Sequence, residues 1–121
     1  MWIRRHDGFE KVELSSVERV RAERDYVRIH SGSGNLLMHS TLSSVRDMLD
    51  PALFLQIHRS EIIRLDLVER IVHHRGGWRV RLLDGSLHPV SKPHVAELMQ
   101  RIHSMHALPG RSSAAQERVR A

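Results

Sequence analysis

The sequence predicts a mainly β domain: several small antiparallel β-sheets with one or two short α-helices. Three observations point there. Apolar and polar residues alternate with a period of two in stretches such as "YVRIH" and "WRVRL". Turn signals, "SGSGN" and "DG", stand between such alternating arms. Only two stretches carry the three-to-four spacing of an amphipathic helix. Alternation in place of continuous apolar runs argues against a doubly wound parallel sheet. A pair of helices joined by a tight turn, the common helical DNA reader, does not fit the pattern either.

In chain order, "HDG" at 6–8 reads as a turn between short extended pieces, with Phe9, Val12 and Leu14 as inward side chains. From Val17 the chain is extended with a charged outer face. Val27 and Ile29 then alternate with Arg28 and His30 up to a hairpin loop at 31–35. "STLSSVRDMLDP" changes period: Leu42, Val45, Met48 and Leu49 share one helical face, Ser40 or Thr41 can cap it, and Pro51 follows its end. "FLQIHRSEIIRL" sets His58, Arg59 and Ser60 between two apolar runs. A buried cation must be paired or hydrogen-bonded, so the segment is expected to break at the surface there. "LDLVERIVHH" is another strand. "WRVRLLDGSLHPV" is a hairpin about Asp84-Gly85, with Pro89 marking a sheet edge or strand end. "SKPHVAELMQRIHSM" is a second helix, capped by Ser91, with Pro93 in its first turn and Val95, Leu98, Met99 and Ile102 on one face. The remainder has no sustained apolar face. Residues 1–104 therefore read as one domain and 105–121 as a flexible C-terminal tail.

The 121 residues suffice for a single core. Lys plus Arg is 19 against 14 for Asp plus Glu, a net charge of +5 that is almost all arginine. That balance favours a polyanionic partner, because Arg pairs bidentately with phosphate and with the guanine edge. The absence of cysteine excludes disulfides, zinc ribbons and thiol catalysis together. Apolar runs fall far short of the roughly 20 residues a bilayer needs, and the N-terminus lacks a signal-peptide core, so no membrane association and a cytoplasmic location are expected.

Catalysis finds no support. "SGSGN" leads into "LLMHS", a strand with no lysine at the phosphate-loop position. Two residues apart on a strand, His58 and Ser60 share a face without forming the triad of acyl transfer. The ten histidines show no H-E-x-x-H spacing, so neither a metal site nor a cofactor is expected. Trp2, Phe9, Tyr26, Phe54 and Trp78 are too scattered for a base-stacking platform, which disfavours single-stranded RNA.

"ERDYVRIHSGSGNLLMHSTLSSVRDML", "FLQIHRSEIIRLDLVERI" and "WRVRLLDGSLHPVSKPHVAELMQRI", in that order, resemble the LytTR DNA-binding domain of bacterial response regulators over residues 2–103. The tyrosine-bearing strand, the Thr-Leu helix start, the His-Arg-Ser core and the hairpin leading to a last helix carry the likeness. The resemblance implies three small, mainly antiparallel sheets with one or two helices, and loops that enter successive major grooves of double-stranded DNA. It assigns DNA contacts to Arg24, Asp25 and Tyr26, to Arg59, and to Lys92, where the family usually has Arg. His39 is a further candidate. Within the His-Arg-Ser motif, His58 is expected to hold the break, Arg59 to reach DNA, and Ser60 to donate to backbone or phosphate. Arg64 stands where the family often has Asn, and is either a phosphate contact or a surface charge. The family binds tandem direct repeats, so a second copy on DNA is implied. No receiver-domain pattern precedes the β region, so regulation is expected from a removed segment or from elsewhere. The competing reading is a protein-interaction module that turns the same basic surface to an acidic partner.

Overall fold

A computed structural model describes residues 1–32 and 34–106. Its strands form three antiparallel sheets of two, five and three strands, flanked by two helices. Most of the tail expected over 105–121 lies outside the described residues; the last helix reaches His106.

β1 (Trp2–Arg5) and β2 (Gly8–Lys11) pair about the His6-Asp7 turn. Ile3 and Val12 are buried, but Phe9 is 70% and Leu14 37% exposed, against their expected inward orientation. A two-stranded hairpin has one face to cover, and Ile3 with Val12 fill it, joined by Met1–Val12 backbone bonds of 2.7 and 3.0 Å.

The five-stranded sheet runs β5-β4-β3-β7-β6, from β3 (Val17–Glu23), β4 (Tyr26–Ser31), β5 (Gly34–His39), β6 (Phe54–His58) and β7 (Glu61–Arg64). Alternation works as the sequence suggests: Val17, Val20, Val27 and Ile29 point into one apolar cluster with Ile3 and Val12. α1 (Leu42–Arg46) contributes Leu42 and Val45, and the Thr41 hydroxyl accepts from the Ser44 amide at 3.1 Å to cap it. The helix is one turn shorter than its apolar spacing predicts. Leu49 still packs inward from the following turn, whereas Met48 is exposed.

β6 and β7 lie between two clusters. Phe54 and Ile62 enter the first, while Leu55, Ile57 and Ile63 enter a second built with the three-stranded sheet. Burial on both faces explains why "EII" is continuous where the other strands alternate. That third sheet runs β10-β9-β8, from β8 (Val68–His74), β9 (Gly77–Leu82) and β10 (Leu87–Val90). Pro89 sits on edge strand β10, where no ladder donor is missed. α2 (Lys92–His106) closes the cluster with Leu98, flanked by Val95 and Ile102. Met99, expected on the same face, is turned outward.

Candidate functional site

The five strands all end or begin at one side of their sheet, and most of the residues singled out above collect there. His39 closes β5 and pairs with Tyr26, which opens β4; their rings meet edge to face with centroids 5.2 Å apart. Glu23 closes β3 opposite Tyr26, so Arg24 and Asp25 form the two-residue turn between β3 and β4. Next in the sheet, Arg59 and Ser60 form the corresponding turn between β6 and β7, where His58 pairs with Glu61. The Ala22 amide donates to the Ser60 carbonyl at 2.8 Å, which locks the two turns side by side. On the far side, the Ser91 amide donates to the Ile57 carbonyl at 2.9 Å, so Lys92, the first residue of α2, joins the same edge. Arg24, Asp25, Tyr26, His39, Arg59 and Lys92 are all exposed.

Local chemistry shapes both turns. At the Arg59 turn, His58 Nδ1 accepts the Ser60 amide at 3.2 Å and lies 2.9 Å from the Ser60 hydroxyl. A nitrogen that accepts the amide carries no hydrogen, so the hydroxyl must donate to it. Ser60 therefore has no hydrogen left for a phosphate: it shapes the turn and leaves Arg59 as its outward group. Arg24 sits at φ +59, left-handed backbone that a side chain disfavours by about 1–2 kcal/mol. The same backbone recurs at Arg75 in the β8–β9 turn, φ +51, as two-residue hairpin turns require. Beside Arg24, Arg28 clasps Glu23 at 2.7 and 3.1 Å, and this hydrogen bond holds the Glu23 carboxyl below its ordinary range.

Arg64 is the exception. It closes β7 at the opposite end, about 10 Å along the strand from Glu61. Its guanidinium donates to Asp66 at 2.8 Å, to the Val17 carbonyl at 3.1 Å and to the Ser15 carbonyl. The structure thus makes Arg64 a brace between β7 and the start of β3.

Behind the edge lies a polar pair that the sequence reading did not single out. Glu61 and His88 are each 5% exposed, with His88 Nδ1 3.0 Å from the Glu61 carboxylate. His88 Nε2 lies 2.8 Å from the Ser86 hydroxyl, which donates to Asp84 at 2.5 Å. Since that hydroxyl has one hydrogen, it can only accept from His88 Nε2, and His88 Nδ1 faces the Glu61 carboxyl. Burial alone would raise the Glu61 carboxyl, but the His88 hydrogen bond and charge, with Arg21 and Arg19 nearby, hold it below its usual range. The only hint in the sequence is that Glu61 and His88 occupy inward positions among apolar neighbours. The pair ties the β9–β10 hairpin to the base of the Arg59 turn.

Among the described residues no group of His, Asp or Glu is arranged to hold a metal, and no helix is long and apolar enough to cross a membrane. The edge offers cationic side chains on short bends, one carboxylate, and an aromatic pair, a set suited to binding a polyanion.

A family model described as the LytTr DNA-binding domain matches residues 7–103. Among solved structures, the LytTr DNA-binding domain of a Bacillus cereus protein, described as a methyl-accepting/DNA response regulator, superposes with a TM-score of 0.72. It is 17% identical, and the match covers 84% of this chain and 94% of that one, a likeness of fold. No curated protein matches the sequence.

Proposed function

The chain belongs to the LytTR family of DNA-binding domains, and from that membership we propose that its loop edge reads double-stranded DNA sequence-specifically in the major groove. In this reading it is the cytoplasmic output domain of a bacterial transcription regulator. One observation carries the reading: backbone hydrogen bonds from Ala22 to Ser60 and from Ser91 to Ile57 set the Arg24-Asp25 turn, the Arg59-Ser60 turn and Lys92 along a single edge. Arginine on a rigid two-residue bend can enter a groove that the flat of a sheet cannot.

Roles follow from side-chain chemistry. Arg59, free and aimed by the His58–Ser60 clasp, suits the paired O6 and N7 acceptors of guanine. Arg24 and Lys92 suit flanking phosphates; lysine is a point charge without the planar fork of arginine, so Lys92 adds affinity more than selectivity. Asp25 can accept from a cytosine amino group, and the Tyr26–His39 pair offers a flat surface to sugar or thymine methyl. Ser60 and Arg64 act behind the interface. Two copies on tandem direct repeats would place this edge in successive turns of the duplex.

The test is selection of bound oligonucleotides from a random pool, followed by salt titration on the selected duplex and on a scrambled one. Binding is expected to weaken with a log–log slope of roughly −2 to −3, from two or three neutralised phosphates. Failure to bind any duplex at low salt would sink the reading and favour an acidic protein partner. Equal affinity for selected and scrambled duplexes would remove the sequence-specific part.

A further inference from the structure

A second cationic surface lies on the outer face of the three-stranded sheet, away from the strand-end edge. Arg70 stands opposite Arg81 and Val72 opposite Arg79 across β8 and β9, and Leu87 and Pro89 of β10 extend the same rows. Directly opposed residues share a face; the alternate positions, Ile71, Val80, His88 and Val90, turn inward. A groove of about 380 Å³ runs over this outer face, with His74 at one end and Gly85 at the other.

Like charges directly opposite on neighbouring strands destabilise a sheet. The five-stranded sheet meets the same problem internally, since Arg21 opposes Arg28 and Glu23 clasps Arg28 at 2.7 Å. On the outer face Arg81 reaches Glu69 at 3.2 Å, with both side chains about half exposed, while Arg70 and Arg79 form no ion pair among the described residues. An external anion would relieve that repulsion. Between the guanidiniums the floor is apolar, and Leu87 is 53% exposed. Duplex phosphates would match the arginines but leave Val72, Leu87 and Pro89 uncovered. An extended peptide places alternate side chains about 7 Å apart on one face, the spacing of the rows in this sheet.

We propose that this groove binds an extended acidic segment of a partner protein in which carboxylates and apolar side chains alternate along the one face turned to the groove, at every second residue. The carboxylates pair with Arg70, Arg79 and Arg81, and the apolar side chains cover Val72 and Leu87. The surface is separate from the strand-end edge, so the proposal does not depend on DNA recognition there.

The probe is a fluorescent synthetic peptide of the repeat Glu-Glu-Leu-Leu, which sets Glu and Leu alternately along each face of an extended chain, titrated against the whole chain by anisotropy with and without saturating duplex DNA. Saturable binding is expected that duplex does not displace. The double variant Arg79→Glu/Arg81→Glu should weaken it at least about tenfold and leave duplex affinity within about twofold. Both side chains are exposed, and a thermal melt verifies that the variant folds. Should it not fold, the neutral variant Arg70→Gln/Arg79→Gln takes its place with the same direction expected. An all-Asp peptide should bind more weakly than the Glu-Leu peptide, since it leaves the floor bare. Peptide affinity unchanged in the variants, or displacement of peptide by duplex, would overturn the proposal; the latter would make the face part of the DNA contact.

Discussion

Two arginines stand at opposite ends of one four-residue strand and have opposite fates. Arg59, just before β7, projects from a turn whose neighbours satisfy one another and ask nothing of it. Arg64, at the other end, is held by Asp66 and by the Ser15 and Val17 carbonyls. The chemistry of the two side chains is the same. What differs is how many unsatisfied acceptors the surrounding backbone leaves within reach: a completed turn frees a cation, and a strand end beside an irregular segment recruits one.

Substitutions at and behind the two ends separate their roles. The largest effect is expected behind the free end, where His88→Ala would leave the Glu61 carboxylate buried without its partner. Removing the partner of a buried carboxylate costs about 3–5 kcal/mol, which a urea titration would register as a large fall in midpoint. At the braced end, Arg64→Ala should lower stability by about 1 kcal/mol, since water can replace it at Asp66 and Ser15 and only the partly buried Val17 carbonyl is left poorly satisfied. Duplex affinity of the folded fraction should stay near that of the parent chain. A loss of affinity with no loss of stability would reverse the assignments of the two arginines. At the free end, Arg59→Ala should cost about 1–3 kcal/mol of binding to the selected duplex, with its thermal midpoint unmoved.

Arg24→Gly tests the strained turn beside it. Glycine takes φ +59 without penalty, so stability should rise by up to about 1 kcal/mol. The salt slope of duplex binding should shrink by about 1. The smallest effect is on acid stability. The Glu61 carboxyl is held below its ordinary value of 4.5 in the folded chain, so its contribution is full above that pH. It is lost as pH falls through the folded value. Thermal midpoints between pH 7 and 3 should therefore fall more steeply for the parent chain than for Glu61→Gln.

Much of this was legible in the sequence because it depends on near neighbours. Period-two alternation located the strands around Val27 and Val80, and Asp84-Gly85 announced its hairpin. The cap at Thr41 and the edge placement of Pro89 were local matters too. The His-Arg-Ser break was legible for the same reason, since His58 and Ser60 are two residues apart. Long-range partners were not. Arg64 finds carbonyls 47 and 49 positions away, and His88 finds Glu61 at a separation of 27; nothing in a single sequence marks a carbonyl as available. Phe9 and Met48 misled because apolar residues do sit on surfaces wherever a small element has filled its inner face with others.

The β6–β7 hairpin is shared property of both apolar clusters, and that has a kinetic meaning. Neither cluster can open without stripping one side of the strands that carry Arg59, so an intermediate with one half melted keeps little of its grip on a ligand. Amide exchange along β7 should consequently follow global unfolding, and proteases would find the folded domain either whole or gone.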